Sequence, residues 1–220
     1  TAMSYGFIGK LTDKVSKLES LIETYENSSL RDDALFQLGN TYADLKENNL
    51  AHGMYKKLGR EFPKSSYVPR AMLRNGLLFF NDNIPNKAIE TYKDIVANFP
   101  NTKEAKEAVV NARNVYVDIG NVDAYAKWVK TLSFISVTDE ELENTLYEAA
   151  ESKFVEGNSK KAITGFTKYL ERFPEGIHQL KANFYLAKLY VKANSPEKAF
   201  NYYNHLVAQK TNEYSEEALT

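Results

Sequence analysis

The sequence predicts an all-α chain, a solenoid of helix-turn-helix repeats, and three observations carry that prediction. Phe62-Pro63, Phe99-Pro100 and Phe173-Pro174 stand 37 and then 74 residues apart, one and then two periods of a single repeat. Self-similarity at a period of this size marks units that bury their apolar faces only against their neighbours. Stepping by 37 from Gly39 meets Gly76, Arg113, Ala150 and Ala187, small in four of five members. With only 6 Pro and 10 Gly in 220 residues, the chain lacks the turn density of an all-β fold. Hydrophobic residues make up 43% of the chain and aromatic residues 13% of it, which supports a packed core.

Each unit reads as helix A, a short turn, helix B and a link. Helix A carries the small anchor and, three residues on, Tyr42, Phe79, Tyr116, Lys153 or Tyr190. Seven past the anchor come Lys46, Asn83, Gly120, Gly157 and Asn194, mostly residue types that accept the left-handed conformation closing a helix. Helix B then has starters in Pro85, in Ser159, and in Ser195 followed by Pro196. Twelve past the anchor lie Ala51, Ala88, Tyr125, Ala162 and Ala199, and sixteen past it Tyr55, Tyr92, Val129, Phe166 and Tyr203. The small residues let two helices approach and the large ones fill the space beside them. Phe-Pro ends helix B, because Pro cannot continue it.

Laid along the chain, these positions define five units at about 31–66, 67–103, 104–137, 138–175 and 176–209. Upstream, Leu21 to Ser29 aligns one period before Leu58 to Ser66, so residues 1–30 read as a partial repeat with helix B at about 11–26. Downstream, residues 210–220 read as a tail or the start of a further repeat, since Glu216-Glu217-Ala218-Leu219 is similar to Asp32-Asp33-Ala34-Leu35. Both edges lead to the expectation that the chain is a fragment of a longer repeat protein. Unit three departs most: Tyr125 replaces Ala, the second aromatic is displaced to Trp128, and no Phe-Pro follows. Instead Thr138-Asp139-Glu140-Glu141 forms a capping box opening helix A of unit four.

Leu38-Gly39, Tyr42, Ala51, Tyr55 and Pro63 fill in order the positions of the tetratricopeptide repeat pattern, and the second unit repeats the match. The resemblance runs from about Asp33 to Ala208. The period of 37 places three extra residues in the link, as in Lys64-Ser65-Ser66. That style resembles repeats of bacterial cell-envelope proteins, such as the Tol–Pal-associated protein and an outer-membrane assembly lipoprotein. The resemblance implies a periplasmic or envelope location and a non-catalytic scaffold that binds a peptide or partner protein on the concave face lined by helix A. A structural, self-associating segment of a longer envelope protein is the alternative, and a carbohydrate-binding module a third.

Three helix A columns supply the candidate groove. Three before the anchor come Phe36, Leu73, Val110, Tyr147 and Phe184; four after it Ala43, Phe80, Val117, Phe154 and Val191; one after it Asn40, Leu77, Asn114, Glu151 and Lys188. The two apolar columns have two readings: extra core, or the walls of a groove for a helix or extended peptide with the Asn side chains on its backbone. Family members that grip C-terminal carboxylates place Lys or Arg where this chain has Phe36 and Leu73, so that mode is not expected. Around Trp128 and Phe134 the readings are a change of pitch, or a hinge and secondary contact site.

Charge and composition exclude other classes. With 28 basic and 29 acidic residues interspersed, no basic stripe supports nucleic-acid binding. No run approaches 18 apolar residues, so no membrane insertion is expected. There is no cysteine, hence no disulfide or thiolate metal site. His52, His178 and His205 lack partners at ligand spacing and read as solvated or capping side chains. Acidic pairs such as Asp32-Asp33 and Glu140-Glu141 sit at helix starts, where they complement the macrodipole. No enzyme, metal or cofactor is expected.

Overall fold

Five left-handed residues set the course of the backbone. Lys46, Asn83, Gly120, Gly157 and Asn194 have φ of 65°, 60°, 71°, 75° and 53°. Each closes its helix with the same pair of bonds: Glu47 N–H to the Tyr42 carbonyl at 2.9 Å and Lys46 N–H to that of Ala43 at 3.0 Å. The other four turns repeat this pattern, down to Ser195 on Tyr190 and Asn194 on Val191. These Schellman closures satisfy carbonyls that the helix end would otherwise orphan. In a computed structural model, the structure describes residues 2–25, 28–209 and 211–219. Residues 1, 26, 27, 210 and 220, which fall in the expected partial first repeat and in the C-terminal segment, lie outside the described residues.

The described residues form helices and no strand, which makes the fold an all-α repeat of helix pairs. The chain divides into two compact units, 1–115 and 116–220. The first holds α1 (Ala2–Thr24), α2 (Arg31–Asp44), α3 (Asn48–Glu61), α4 (Tyr67–Asn81), α5 (Pro85–Asn98) and most of α6 (Lys103–Asp118). Here α2 pairs with α3 and α4 with α5. The pairs approach closely because their anchors are glycines. A Cβ on Gly39 would meet Tyr55 Cε1 at 2.6 Å, and one on Gly76 would meet Tyr92 Cε1 at 2.5 Å. Leu35, Leu58, Ala51 and Tyr55 fill the core beneath, with Phe62 and Phe99 packed against it. Those two Phe are also the C-caps of α3 and α5, with ψ of 59° and 47°, each kept out of the helical region by the Pro that follows.

The second unit holds α7 (Val122–Val129), α8 (Asp139–Val155), α9 (Ser159–Arg172), α10 (Gln179–Lys192), α11 (Pro196–Ala208) and α12 (Ser215–Leu219). Here α8 pairs with α9 and α10 with α11 around Phe166, Tyr169, Leu146 and Leu186. Helix α7 has 8 residues against 13 or 14 in the other B helices, and an irregular segment leads from it to Thr138. There the capping box forms: Thr138 Oγ1 accepts from Glu141 N–H at 3.1 Å, and Thr138 N–H donates to Glu141 Oε2 at 2.8 Å.

Two starters differ from the sequence reading. The cap of α9 is Asn158, whose Oδ1 accepts from Lys161 N–H at 3.2 Å, and Ser159 is the first helical residue. Ser195 occupies the N-cap of α11 without a side-chain cap bond; its hydroxyl turns back to the Ala193 carbonyl at 3.4 Å. Pro196 already removes one orphan N–H there, leaving less for a cap to satisfy.

Candidate functional site

In the first unit, α2, α4 and α6 enclose a groove of 420 Å³. Its apolar walls are Phe36, Leu73 and Leu77, drawn from two of the helix A columns. Phe36 leans on Tyr67 with ring centroids 5.2 Å apart, Leu73 is buried and Leu77 is 41% exposed. Leu77 also forms the wall of an adjoining hollow of 230 Å³ that contains Asn40 and Tyr55. The Tyr55 hydroxyl donates to Asn40 Oδ1 at 2.8 Å, so this Asn is partly spent on the scaffold. Burial pushes the Tyr55 phenol up to about 12, keeping it a neutral donor.

Charge enters the groove from positions that the columns did not include. Arg70 pairs with the buried Glu104 at 3.5 Å. Arg74 lines both hollows and has no carboxylate within 4.0 Å among the described residues. From α6 come Glu104, Glu107 and Asn111, while the candidates Val110 and Asn114 of the same helix are exposed outside it. Phe80 is half-buried and away from both hollows. Arg70 and Glu107 lie six before their anchors, and Arg74 and Asn111 two before. That polar face was visible by the same stepping, but a search for apolar stripes passes over it.

In the second unit the helix A residues form a polar-aromatic cluster. The Tyr147 hydroxyl donates to Glu151 Oε1 at 2.8 Å, and Lys181 Nζ reaches the same oxygen at 2.9 Å. The ammonium also lies over the rings of Tyr147 and Tyr185, at 5.6 and 5.7 Å. Phe184 stacks on Tyr214 at 4.6 Å, and Lys188 Nζ sits over the Phe184 ring at 5.0 Å. Burial opposes the charged form of Glu151, yet the bonds from Lys181 and Tyr147 outweigh it and hold the carboxyl below its ordinary range. The bond to Glu151 raises Lys181, while burial and then that bond raise Tyr147. All three titrate away from neutral pH, the reverse of what general acid–base chemistry uses.

The two inner histidines correct the sequence reading. His178 stacks on Tyr147 at 4.1 Å and 17°, and its Nε2 is 2.6 Å from Asn144 Oδ1. His52 does the same in the first unit, stacked on Phe79 at 4.2 Å and 17°, bonded to Asn75, with Asp82 Oδ2 3.2 Å from Nε2. His178 does occupy the N-cap of α10, but its side chain makes no cap bond there, and neither ring is simply solvated. Each is a bridge from one repeat to a helix of another, which spacing along the chain does not disclose. His205 is exposed, with Nε2 2.9 Å from Gln179 Oε1. Trp128 is half-buried on α7, edge-on to Tyr125 at 6.4 Å, and Phe134 is half-buried in the irregular segment. Among the described residues no group of His, Asp and Glu is placed to hold a metal ion, and no helix is long and apolar enough to cross a membrane.

The repeat geometry agrees with a comparison of sequences: the family model described as Tetratricopeptide repeat matches residues 33–65, 70–102 and 144–176. The chain contains tetratricopeptide repeats. Among solved structures it is similar to a tetratricopeptide repeat protein from Parabacteroides merdae, with TM-score 0.51 and 14% identity over 96% of this chain and 78% of that one. It is also similar to MamA, with TM-score 0.44 and 16% identity over 86% and 96%. A third likeness is to PilW, described as a type IV pilus biogenesis factor, with TM-score 0.43 and 18% identity over 100% and 95%. No curated protein matches the chain in sequence. Tetratricopeptide repeat proteins generally act as non-catalytic scaffolds for protein or peptide partners.

Proposed function

We propose that the chain is an interaction scaffold whose helix A face receives a segment of a partner protein, with the groove of the first unit as the main contact. The observation that supports this is the combination of Leu77, exposed on a shared wall, with Arg74, a cation with no carboxylate within 4.0 Å among the described residues. An apolar side chain of the partner would seat against Phe36, Leu73 and Leu77, and an acidic group beside it would meet Arg74. In the second unit the half-buried Glu151 and the exposed Lys188, backed by the buried rings of Tyr147 and Phe184, offer a separate polar patch for a partner's backbone or charged groups. The envelope location rests on the link style of the repeats alone.

The test is photo-crosslinking from position 77 in cells, followed by mass spectrometry of captured proteins. Arg74→Glu and Leu77→Ser are both on exposed positions and leave the far-ultraviolet circular dichroism unchanged. A defined partner captured by the parent, and lost in Arg74→Glu, supports the reading. A folded Arg74→Glu with Leu77→Ser double variant that retains every partner overturns it.

A further inference from the structure

The fourth repeat contains a second cavity, away from the helix A face of either unit. It measures 400 Å³ and lies where α7, α8 and α9 meet, wholly within the second unit. Repeat register explains why space exists there. Lys153 stands where the other four units carry Tyr42, Phe79, Tyr116 and Tyr190. Gly165 stands where they carry Met54, Thr91, Trp128 and Tyr202. Both line the cavity. Gly165 cannot regain bulk while α8 and α9 keep their approach, because a Cβ there would meet Ala150 Cβ at 2.8 Å and its Cα at 3.0 Å.

The floor is apolar: Val122, Leu146, Ala149 and Ala150, all of them buried against the core. The rim is cationic. Lys160, Lys161 and Lys168 are exposed on α9 and have no carboxylate within 4.0 Å among the described residues. Lys153 is different, since its charge is met by Glu156 at 2.9 Å and Asp118 at 3.5 Å. Across the cavity Asp123 is occupied by Arg172 at 3.4 Å. Three exposed cations with no carboxylate within 4.0 Å among the described residues therefore rim a hydrophobic floor, although Lys161 also feels the charge of Glu156. Two of them sit in the first turn of α9, where the helix dipole adds positive potential. The volume lies within the about 300–1,000 Å³ of ordinary small-molecule sites.

We infer that this cavity binds a small amphiphilic anion, with its alkyl or aryl body on the apolar floor and a carboxylate or phosphate among Lys160, Lys161 and Lys168. Water leaves the floor while the head group keeps its contact with solvent and the ammonium groups. That division suits a ligand with one charged end and no polar group in the tail. A neutral or cationic amphiphile of the same length has no match for the rim.

Sodium decanoate is the probe, titrated below its aggregation concentration into the full chain and followed by calorimetry and by amide shifts of Val122, Ala149 and Gly165. Decyltrimethylammonium serves as the charge control and butyrate as the tail control. The expected result is saturable decanoate binding with shifts at those amides, and none with either control. Replacing Lys160, Lys161 and Lys168 together by Gln weakens binding roughly tenfold, about 1.4 kcal/mol. Ala149→Leu, the residue at the same register in Leu38 and Leu186, fills the floor and abolishes it. If Ala149→Leu fails to fold, the triple Lys variant still decides, because its changes are on the surface. Equal binding of the triple variant, equal binding of the ammonium probe, or no decanoate binding to the parent overturns the proposal. So does binding to phosphatidylglycerol vesicles without binding to decanoate.

Discussion

Gly39 and Gly53 occupy the interiors of adjacent paired helices, and alanine at the two positions has opposite consequences. In isolation a helix gains about 0.8–1.0 kcal/mol when Ala replaces Gly. At Gly53 nothing lies within 4 Å of the added Cβ, so Gly53→Ala realises that gain. At Gly39 the Cβ meets Tyr55 Cε1 at 2.6 Å and Cδ1 at 2.8 Å. The Tyr55 ring is 5% exposed and tethered by its hydroxyl to Asn40, so it cannot swing away without loss. Overpacking of this kind costs about 1–3 kcal/mol. Subtracting the propensity gain leaves Gly39→Ala destabilised by up to about 2 kcal/mol, and the two variants differ by about 1–3 kcal/mol. Urea unfolding followed by far-ultraviolet circular dichroism measures both. Adding Tyr55→Leu to Gly39→Ala removes the clash, so the double variant loses less than the sum of the singles, by about 1 kcal/mol. Equal stabilisation by both alanines, or strict additivity in the cycle, would refute the claim that the ring rests on the α2 backbone.

Three further outcomes follow from the caps and the polar cluster. Lys46 has φ of 65°, so Lys46→Gly stabilises the chain by up to about 1 kcal/mol, whereas Gly120→Ala, at φ 71°, costs about 1–2 kcal/mol; thermal unfolding reads both. Thr138→Ala removes the capping box and lowers stability by about 1 kcal/mol in urea, with early fraying of α8 visible by hydrogen exchange. Glu151 titrates below its ordinary 4.5 in the folded chain, so its contribution is present above that pH and lost as pH falls through the folded value. Its partner Lys181 titrates above 10.5, so that contribution is present below 10.5 and lost as pH rises further. Urea midpoints measured from neutral to acid pH fall more steeply below about pH 4.5 in the parent than in Glu151→Gln. Parallel curves would mean that the Tyr147–Glu151–Lys181 contacts contribute nothing.

The turns were legible in the sequence because their chemistry is local. A residue seven past the anchor donates to the carbonyl three places back and its successor to the carbonyl five places back, and Phe62 or Phe99 is kept out of the helical region by the very next residue. The capping box at Thr138 is local in the same way. The pairing of Gly39 with Tyr55 and of Gly76 with Tyr92 was also legible, since a 37-residue repeat displays the small and large partners together. The apolar columns were not. One column contains Tyr147, 3% exposed, and Val110, 57% exposed, so identical register does not give identical surroundings.

What the sequence determined by itself was the period, the helix pairs and their closures, because each depends on backbone conformation and on neighbours within one unit. What only the tertiary structure decided was which side of each A helix stays open. Arg74 has no carboxylate within 4.0 Å among the described residues, His52 and His178 lie flat on rings of a neighbouring helix, and Gly165 lets α9 close onto Ala150 beside an apolar floor rimmed by lysines. Those outcomes depend on the approach and rotation of helices whose contacting residues stand up to about 34 positions apart, as His178 and Asn144 do. Packing at that range is set by shape complementarity between whole faces, which a residue's place in the repeat does not specify.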